Sequence, residues 1–210
     1  CLVRWNSNDY LFSFLLTPFF SYFTKLLALV LRLLFEFTQN NLKLTADTPD
    51  AGKSEENIDI DYVSDDLIIA FNYKYMLEAL KEAKLAAQED EVPIGCVIVK
   101  NNQIIARGHN QRDKSHNPLG HAEIIAIQSA SKAVEDWQLV GCDLYVTIEP
   151  CLMCAGAIMQ SRIARVIYGA PDLKGGAFGG SIDVLSAKNL NHYPAVVNGV
   201  LENECKEINR

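Results

Sequence analysis

Residues 144–169 read LYVTIEPCLMCAGAIMQSRIARVIYG. The apolar runs at 144–148 and 165–169 have the length and β-branched content of buried strands, and residues 151–160 have the composition of a helix between them. A strand, a short helix and a second strand form a crossover unit, whose two strands are expected to be parallel with a right-handed connection. This unit predicts an α/β domain.

The segments on either side extend the sheet. Residues 95–100 (GCVIVK) and 103–108 (QIIARG) read as two strands around Asn101-Asn102, a pair that tolerates positive φ and suits a two-residue hairpin. Residues 195–200 (AVVNGV) supply a fifth strand. The predicted class is α/β with a mixed five-stranded sheet.

Helical periodicity marks three further segments. From Met76 onward, apolar residues recur at helical spacing and predict an amphipathic helix over residues 72–88. Residues 121–133 predict another helix. A final helix begins at Leu201, and we expect it to be truncated where the chain stops at Arg210.

Composition divides the chain into three parts. Its 210 residues are 49% hydrophobic and 21% charged, which excludes a wholly disordered protein and allows one sizeable domain plus an extension. The net charge of −7 resides mostly in residues 47–69, which hold eight acidic residues against Lys53 and predict a solvated linker. Residues 70–210 show no internal repeat and are predicted to form one domain, preceded by an apolar N-terminal extension, residues 1–46.

The apolar extension raises the question of a membrane. Its longest uncharged run, residues 10–24, contains Pro18 and is shorter than the roughly 20 residues that a spanning helix needs. A cleaved signal peptide fits poorly, because no small-residue cleavage site follows the run. Three alternatives stay open for residues 1–46: a non-native upstream translation or fragment, an amphipathic helix on a membrane surface, and a folded accessory helix. Membrane contact is not favoured.

Cysteine usage indicates a reducing compartment, and we expect the protein in the cytoplasm. Six cysteines in 210 residues are too few for a disulfide scaffold. Cys151 and Cys154 lie three residues apart at the start of a predicted helix, a spacing that indicates metal or redox chemistry. The other four cysteines are expected to be small buried apolar residues.

A histidine completes a candidate metal site. His121 begins another predicted helix, and one imidazole with two thiolates is a donor set that selects zinc. Three protein ligands leave a position for water, as in catalytic rather than structural zinc sites. Glu123, in the same first helical turn as His121, then becomes the candidate general base and acid beside a water whose pKa zinc lowers to roughly 7.

Less specific interpretations exist for each half of the site. A histidine near a helix start is commonly a capping or surface residue. A C-x-x-C pair can be a redox centre, but thioredoxin-type pairs follow an aromatic residue and enclose Gly-Pro, whereas Glu149-Pro150 precede this pair and Leu152-Met153 separate it. The joint occurrence of both halves, with one strand between them, favours a zinc-dependent hydrolase.

These motifs resemble the zinc-dependent cytidine and adenosine deaminase superfamily, whose H-x-E…P-C-x-x-C signature stands here at residues 121–123 and 150–154. Within it, the chain is similar to the bacterial tRNA-specific adenosine deaminases over about residues 72–208. The further motifs that carry this similarity are Val92-Pro93-Ile94-Gly95, Gly108-His109-Asn110, Thr147-Ile148-Glu149, Ala155-Gly156-Ala157 and Ser161-Arg162-Ile163.

The resemblance implies a fold and an activity. The fold would be a three-layer α/β/α sandwich, and the reaction the hydrolytic conversion of the wobble adenosine of a tRNA anticodon to inosine, with release of ammonia. The enzyme would be a cytoplasmic homodimer with one zinc ion in each subunit. The anticodon stem-loop would be its macromolecular partner.

The resemblance also implies residue roles. His121, Cys151 and Cys154 would bind zinc, and Glu123 would move protons between the water, the adenine ring and the departing ammonia. Asn110 would hydrogen-bond the flipped nucleoside, and Ile94 would pack near its base, although each has a simpler reading as a turn cap or a core residue. The backbone N–H groups of Ala122 and Cys151 would face the reacting oxygen.

Two features leave the substrate surface less defined. Asn117-Pro118-Leu119-Gly120 departs from the family's usual Asp-Pro-Thr-Ala before the ligand histidine, and the glycine-rich residues 175–181 read as a flexible loop rather than a phosphate cradle. Six basic residues are candidates for an RNA-facing patch: Arg107, Arg112, Lys114, Arg162, Arg165 and Lys174.

Two rival functions use the same residues. A deaminase of a free base or nucleoside, of the guanine or cytosine type, would share the zinc chemistry. A zinc-stabilised RNA-binding module would bind without turnover, and replacement of Glu123 separates it from an enzyme.

Overall fold

The computed structural model describes residues 3–4, 32–38, 41–48, 52–59 and 67–209. The chain splits into two compact units, residues 18–74 and a second unit made of residues 1–17 and 75–210. In chain order the elements are β1 (Val3–Arg4), β2 (Arg32–Thr38), β3 (Asn41–Thr48), β4 (Gly52–Asp59), β5 (Leu67–Phe71), α1 (Lys74–Gln88), β6 (Gly95–Lys100), β7 (Gln103–His109), α2 (Ala122–Val134), β8 (Asp143–Ile148), α3 (Leu152–Gln160), β9 (Arg165–Ala170), β10 (Ala195–Val197) and α4 (Glu202–Ile208).

The larger unit contains a mixed sheet with the strand order β1-β10-β9-β8-β6-β7. Strands β8, β9 and β10 are parallel, whereas β6 pairs antiparallel with both β7 and β8. The mixed five-stranded sheet is therefore confirmed, and the two-residue β1 adds to its edge by antiparallel pairing with β10. The crossover unit is confirmed as well, because β8 and β9 pair in parallel with α3 between them.

The hairpin between β6 and β7 has the predicted turn. Lys100 pairs with Gln103, so only Asn101 and Asn102 form the loop, and their φ angles are 51° and 61°. Two consecutive residues with positive φ define the turn type whose twist matches that of the flanking strands.

Helices cover both faces of the sheet. Neighbouring residues on a strand point to opposite faces of the sheet, so Gly95 and Cys96 lie on opposite faces. Gly108 pairs with Cys96 across the two strands and therefore lies on the same face as Cys96. A β-carbon on Gly95 would lie 2.0 Å from the carbonyl oxygen of Ala79 in α1, and one on Gly108 would lie 2.4 Å from that of Ala122 in α2. Helices α1 and α2 therefore pack on opposite faces, which confirms three layers.

The main core lies between the sheet and the layer formed by α2 and α3. Its fully buried side chains come from β6, β8, β9, α2 and α3 and include Cys96, Ile98, Leu144, Val146, Val166, Tyr168, Ala126, Ala155 and Ile158. Helix α4 belongs to the other face, where Gly169 of β9 faces the Cys205 side chain. The zinc motifs thus lie at the N-termini of the two helices that cover this core.

The smaller unit contains an antiparallel sheet with the order β4-β3-β2-β5. Residues 47–69, where the composition predicts a solvated linker, include all of β4. The Glu55 carboxylate of β4 forms an ion pair with the Lys43 ammonium group of β3, with an N–O distance of 3.1 Å. The division of the chain at residues 46 and 69 stays a prediction. The uncharged run of residues 10–24 lies outside the described residues, and among those that are described no helix has the length and apolarity needed to span a bilayer.

The close approach of α2 to the sheet can be tested at Gly108. A β-carbon there would lie 2.4 Å from the carbonyl oxygen of Ala122 and 2.8 Å from the amide nitrogen of Ala126, both backbone atoms that cannot move aside alone. We expect Gly108→Ala to lower the free energy of unfolding by about 1–3 kcal/mol in urea titrations. Gln128→Ala, on the exposed side of α2, is the matched control and should change it by less than about 0.5 kcal/mol. Equal stability of the two variants would contradict the packing.

Candidate metal centre and active site

Two helix N-termini bring the predicted ligands together. Strand β8 ends at Ile148, the chain passes through Glu149-Pro150, and Cys151 is the N-cap of α3 with φ −71° and ψ 172°. His121 is the N-cap of α2 with φ −83° and ψ 146°. Both residues have extended backbone and make no side-chain cap bond, so their side chains are available for another role.

The three side chains converge on one point. Nδ1 of His121 lies 3.7 Å from Sγ of Cys151 and 3.6 Å from Sγ of Cys154. A tetrahedral zinc ion with Zn–N of about 2.0 Å and Zn–S of about 2.3 Å holds its nitrogen and sulfur ligands about 3.5 Å apart. The geometry therefore fits zinc and selects Nδ1 as the ligating nitrogen of His121. Within the described part of the chain, no fourth His, Cys, Asp or Glu joins this group.

Glu123 lies beside the three ligands in a buried position. The residue is 4% exposed, and its carboxylate is within hydrogen-bonding reach of the Cys154 thiol. Its Oε2 is buried and has no hydrogen-bond partner among the residues that the structure describes. A buried carboxylate oxygen without a partner is costly, so it indicates a group that the site is built to receive.

The electrostatics of the site favour metal binding. A hydrogen bond from Cys154, together with His121, lowers the pKa of the Cys151 thiol to about 4. The pKa of Cys154 is raised instead, because its proton is shared with Cys151 and the thiol is buried. The hydrogen bond to Cys151 raises the pKa of His121, and burial raises the pKa of Glu123 above its ordinary value. A carboxyl group with a raised pKa is suited to both accept and donate protons near neutral pH.

The predicted substrate residues lie next to the metal ligands. Asn110 follows β7, is 4% exposed, and accepts a hydrogen bond from the Ala122 amide through Oδ1 at 3.0 Å. The Ala122 N–H, expected to face a reacting oxygen, is thus engaged by Asn110. Ile94 is partly buried against the core, and its carbonyl oxygen accepts the Asn110 amide at 3.2 Å. Asn110 is therefore hydrogen-bonded both to the residue that precedes β6, through its backbone, and to the first residue of α2, through its side chain.

Half of the predicted basic patch is paired within the chain. Arg107 contacts Glu78 at 2.8 Å, Lys114 contacts Glu89 at 3.0 Å, and Arg165 makes two bonds to Asp143. Arg112 and Lys174 are exposed, and Arg162 is partly exposed. The Arg112 charge acts on the His121 imidazole, which places Arg112 near the metal ligands.

Glu149 is a site residue to which the sequence motifs assign no role. Glu149 is 3% exposed, and its carboxylate accepts three backbone N–H bonds from residues 172–180. The signal was present in the sequence as an acidic residue directly after a buried apolar strand and two positions before a metal ligand. A buried acid must be paired or hydrogen-bonded, so its position alone indicated a partner.

Comparison with known proteins agrees with this geometry. The family model for the cytidine and deoxycytidylate deaminase zinc-binding region matches residues 70–170. The tRNA-specific adenosine deaminase of Bacillus subtilis (strain 168) is 51% identical over 131 residues, which are 62% of this chain and 81% of that protein. The chain belongs to the tRNA-specific adenosine deaminase family. The relative from Agrobacterium fabrum is 45% identical over 136 residues, 65% of this chain and 90% of that protein.

Solved structures match the same region. A structure from work on A-to-I editing by tRNA:A34 deaminases at the wobble position of transfer RNA is 44% identical with a TM-score of 0.61, over 64% of this chain and 98% of that one. Guanine deaminase from Nitrosomonas europaea, at 19% identity and a TM-score of 0.53, covers 65% of this chain and 84% of its own, and shares the fold. In addition, the model for the C-terminal domain of the DNA polymerase III beta subunit matches residues 24–92, a similarity that the motifs of the sequence do not predict.

The unequal thiol pKa values lead to a prediction for the metal-free protein. Because the pKa of Cys151 is lowered, its thiolate is present above about pH 4 and is lost only below it, whereas Cys154 stays a thiol at neutral pH. After chelation of metal, iodoacetamide at pH 6 should therefore alkylate Cys151 and spare Cys154, as read by peptide mass spectrometry. Reloading with zinc should block the reaction. Equal labelling of both cysteines, or labelling only above about pH 8, would contradict the assignment.

Proposed function

We propose that this chain deaminates the wobble adenosine of a tRNA anticodon to inosine by hydrolysis. One observation carries the proposal: Glu123 is buried beside a His/Cys/Cys group of zinc geometry, in a chain of the tRNA-specific adenosine deaminase family, and its Oε2 has no partner within the described part of the chain. The reaction replaces the amino group on C6 of adenine by oxygen, consumes one water and releases ammonia.

The zinc ion is assigned to three residues. His121 Nδ1 and the sulfurs of Cys151 and Cys154 would hold it, and zinc would supply an acidified water and charge stabilisation at the reacting oxygen. The N-termini of α2 and α3 both point at this place, so their unpaired N–H groups and dipoles favour negative charge there. One zinc ion is expected in each subunit.

Glu123 is assigned the proton transfers. Its carboxylate first accepts a proton from the attacking water, then delivers it to the ring nitrogen N1 of the adenine. A second proton passes through the same carboxylate to the departing amino group, which leaves as ammonia. Burial supports this assignment, because it raises the pKa of Glu123 and so favours the protonated form more than in an exposed glutamate.

Asn110 and Ile94 are assigned to the substrate. Asn110 uses Oδ1 for the Ala122 amide, which leaves the Nδ2 amino group to donate to the nucleoside. Ile94 keeps part of its side chain outside the core and adjoins Asn110 through the backbone, so it is placed for apolar contact with the base. Asn110 would thereby hold the start of α2 through Oδ1 and donate a hydrogen bond to the substrate through Nδ2.

The macromolecular partner is a tRNA anticodon stem-loop. The names of the relatives support it, and the basic residues Arg112, Arg162 and Lys174, outside the ion pairs described above, are candidates for phosphate contacts. We further propose a homodimer and a cytoplasmic location, where tRNA is available. Deamination of a free base or nucleoside, and RNA binding without turnover, are not favoured, since the relatives at 45–51% identity bear the tRNA-specific name.

The activity and the role of Glu123 can be tested together. The wild-type protein incubated with an arginine-type anticodon stem-loop should convert adenosine to inosine, a mass gain of about one dalton in the RNA, and should release no ammonia from free guanine or cytosine. Glu123→Gln should keep its zinc and lose about 10²–10⁴-fold in kcat. Glu207→Gln, an exposed matched control, should behave as wild type. A Glu123→Gln variant with normal turnover would remove Glu123 from the mechanism.

The domain division leads to a separate proposal. Helix α1 lies in the overlap of the two family models, yet its Ala79 and Ala83 touch Gly95 of the larger sheet. We infer that the deaminase domain begins near residue 70 and includes α1.

Removal of residues 1–69 tests this division. The shortened chain should bind one zinc ion and keep kcat within about twofold of the full chain, whereas removal of residues 1–92 should abolish folding, because Met76, Ala79 and Ala83 are fully buried. Circular dichroism and zinc content provide the readout. Loss of zinc from the first truncation would show that the N-terminal residues belong to the deaminase domain.

A further inference from the structure

The carboxylate of Glu149 is the centre of a backbone cradle. Oε2 accepts the Asp172 amide at 3.0 Å, and Oε1 accepts the amides of Phe178 and Gly180 at 2.8 and 2.9 Å. The Glu149 amide itself donates to the carbonyl oxygen of Ala170 at 2.9 Å. An ionised carboxylate accepts such bonds more strongly than a neutral group, so this acid holds the segment 172–180 in place.

The segment wraps the carboxylate as closely as backbone permits. A β-carbon on Gly176 would lie 2.4 Å from Cδ of Glu149, and one on Gly180 would lie 2.4 Å from its Oε2. Side chains at these positions would push the segment off the carboxylate. The glycines that look like a flexible loop in the sequence are therefore required for contact with one buried acid.

The same segment is fastened to the zinc-binding turn. Directly after Glu149, the carbonyl oxygen of Pro150 accepts the Ala177 amide at 2.9 Å. The next residue, Cys151, forms a β-bridge with Gly176. Three consecutive residues, 149–151, thus contact the segment, and the last of them is a proposed metal ligand.

We propose that Glu149 is a positioning residue that sets the orientation of the Cys151 ligand through residues 172–180. This inference rests on the proposed zinc site. Without the carboxylate, the amides of Asp172, Phe178 and Gly180 lose their acceptor in a partly buried place, so the segment moves to satisfy them elsewhere and releases its hold on Pro150 and Cys151. Residues that orient metal ligands in this way affect activity without touching the substrate.

The test compares Glu149→Ala and Glu149→Gln with the exposed control Glu207→Gln, all in the full-length chain loaded with Co²⁺ in place of zinc. Glutamine keeps one acceptor oxygen, so it can hold the amides of Phe178 and Gly180 while losing the Asp172 bond. The readouts are the visible Co²⁺ spectrum, metal affinity, amide hydrogen exchange at residues 172, 178 and 180, and kcat and KM on the anticodon stem-loop with zinc.

We expect a graded response. Glu149→Ala should shift the Co²⁺ spectrum and expose all three amides to exchange. It should also weaken metal binding or lower kcat, in either case by about 10–100-fold, while KM stays within about threefold of wild type. Glu149→Gln should show a smaller change and faster exchange at Asp172 alone. The control should match wild type in every readout.

Two results would overturn the inference. One is a control-like Co²⁺ spectrum and kcat in both Glu149 variants, even with a lowered melting temperature, since that is the response to a purely structural role. The other is exchange at residues 172–180 that does not change.

If Glu149→Ala fails to fold, Gly180→Ala decides, because it strains the same cradle while keeping the acid. It should reproduce the spectral shift, and a wild-type spectrum would refute the proposal. If the wild-type protein makes no inosine, the Co²⁺ spectra and exchange rates still test the positioning role of Glu149, so the two failures are distinguishable.

Discussion

Nδ1 of His121 lies 3.7 Å from the sulfur of Cys151 and 3.6 Å from that of Cys154, at the meeting point of two helix N-termini. Strand β8 delivers the two cysteines at its carboxyl end, and the loop after β7 delivers the histidine. A shift of about 1 Å in either helix would separate the nitrogen from the sulfurs beyond the span of one zinc ion.

The depth at which α2 packs depends on small residues in the sheet. Gly108 allows the first turn of α2 to approach the backbone of β7, and this turn carries His121 at its cap and Glu123 inside it. The buried Asn110 then fixes the same turn by accepting the Ala122 amide. Two independent contacts thus determine where the imidazole and the carboxylate lie, which is what a preorganised site requires.

The hydrogen-bond and ion-pair partners in the folded structure changed several interpretations that the sequence had suggested. Ala122 and Asn110 were assigned to the substrate separately, yet they bond to each other. Arg107 and Lys114 were candidates for RNA contact, but each forms an ion pair with a glutamate more than twenty positions away in sequence. Arg107 pairs with Glu78 of α1, and Lys114 pairs with Glu89, the residue directly after α1. Glu149 looked like a flank of the cysteine motif and proved to be the acceptor for three amides. Each change comes from a long-range contact that residue type and local spacing do not encode.

Local patterns determined the five strands β6 to β10, the turn at Asn101-Asn102, the class of fold and the donor set of His121, Cys151 and Cys154, but neither β1 nor the strands of the smaller unit. These depend on side-chain periodicity, φ preferences and ligand chemistry, all of which act between near neighbours or follow from residue identity. Only the tertiary structure decided which nitrogen of His121 faces the sulfurs, and that Glu123 is buried with one oxygen that no described residue hydrogen-bonds. Such features arise when distant segments share one volume, and their free energy depends on distances that exist only after the chain has folded.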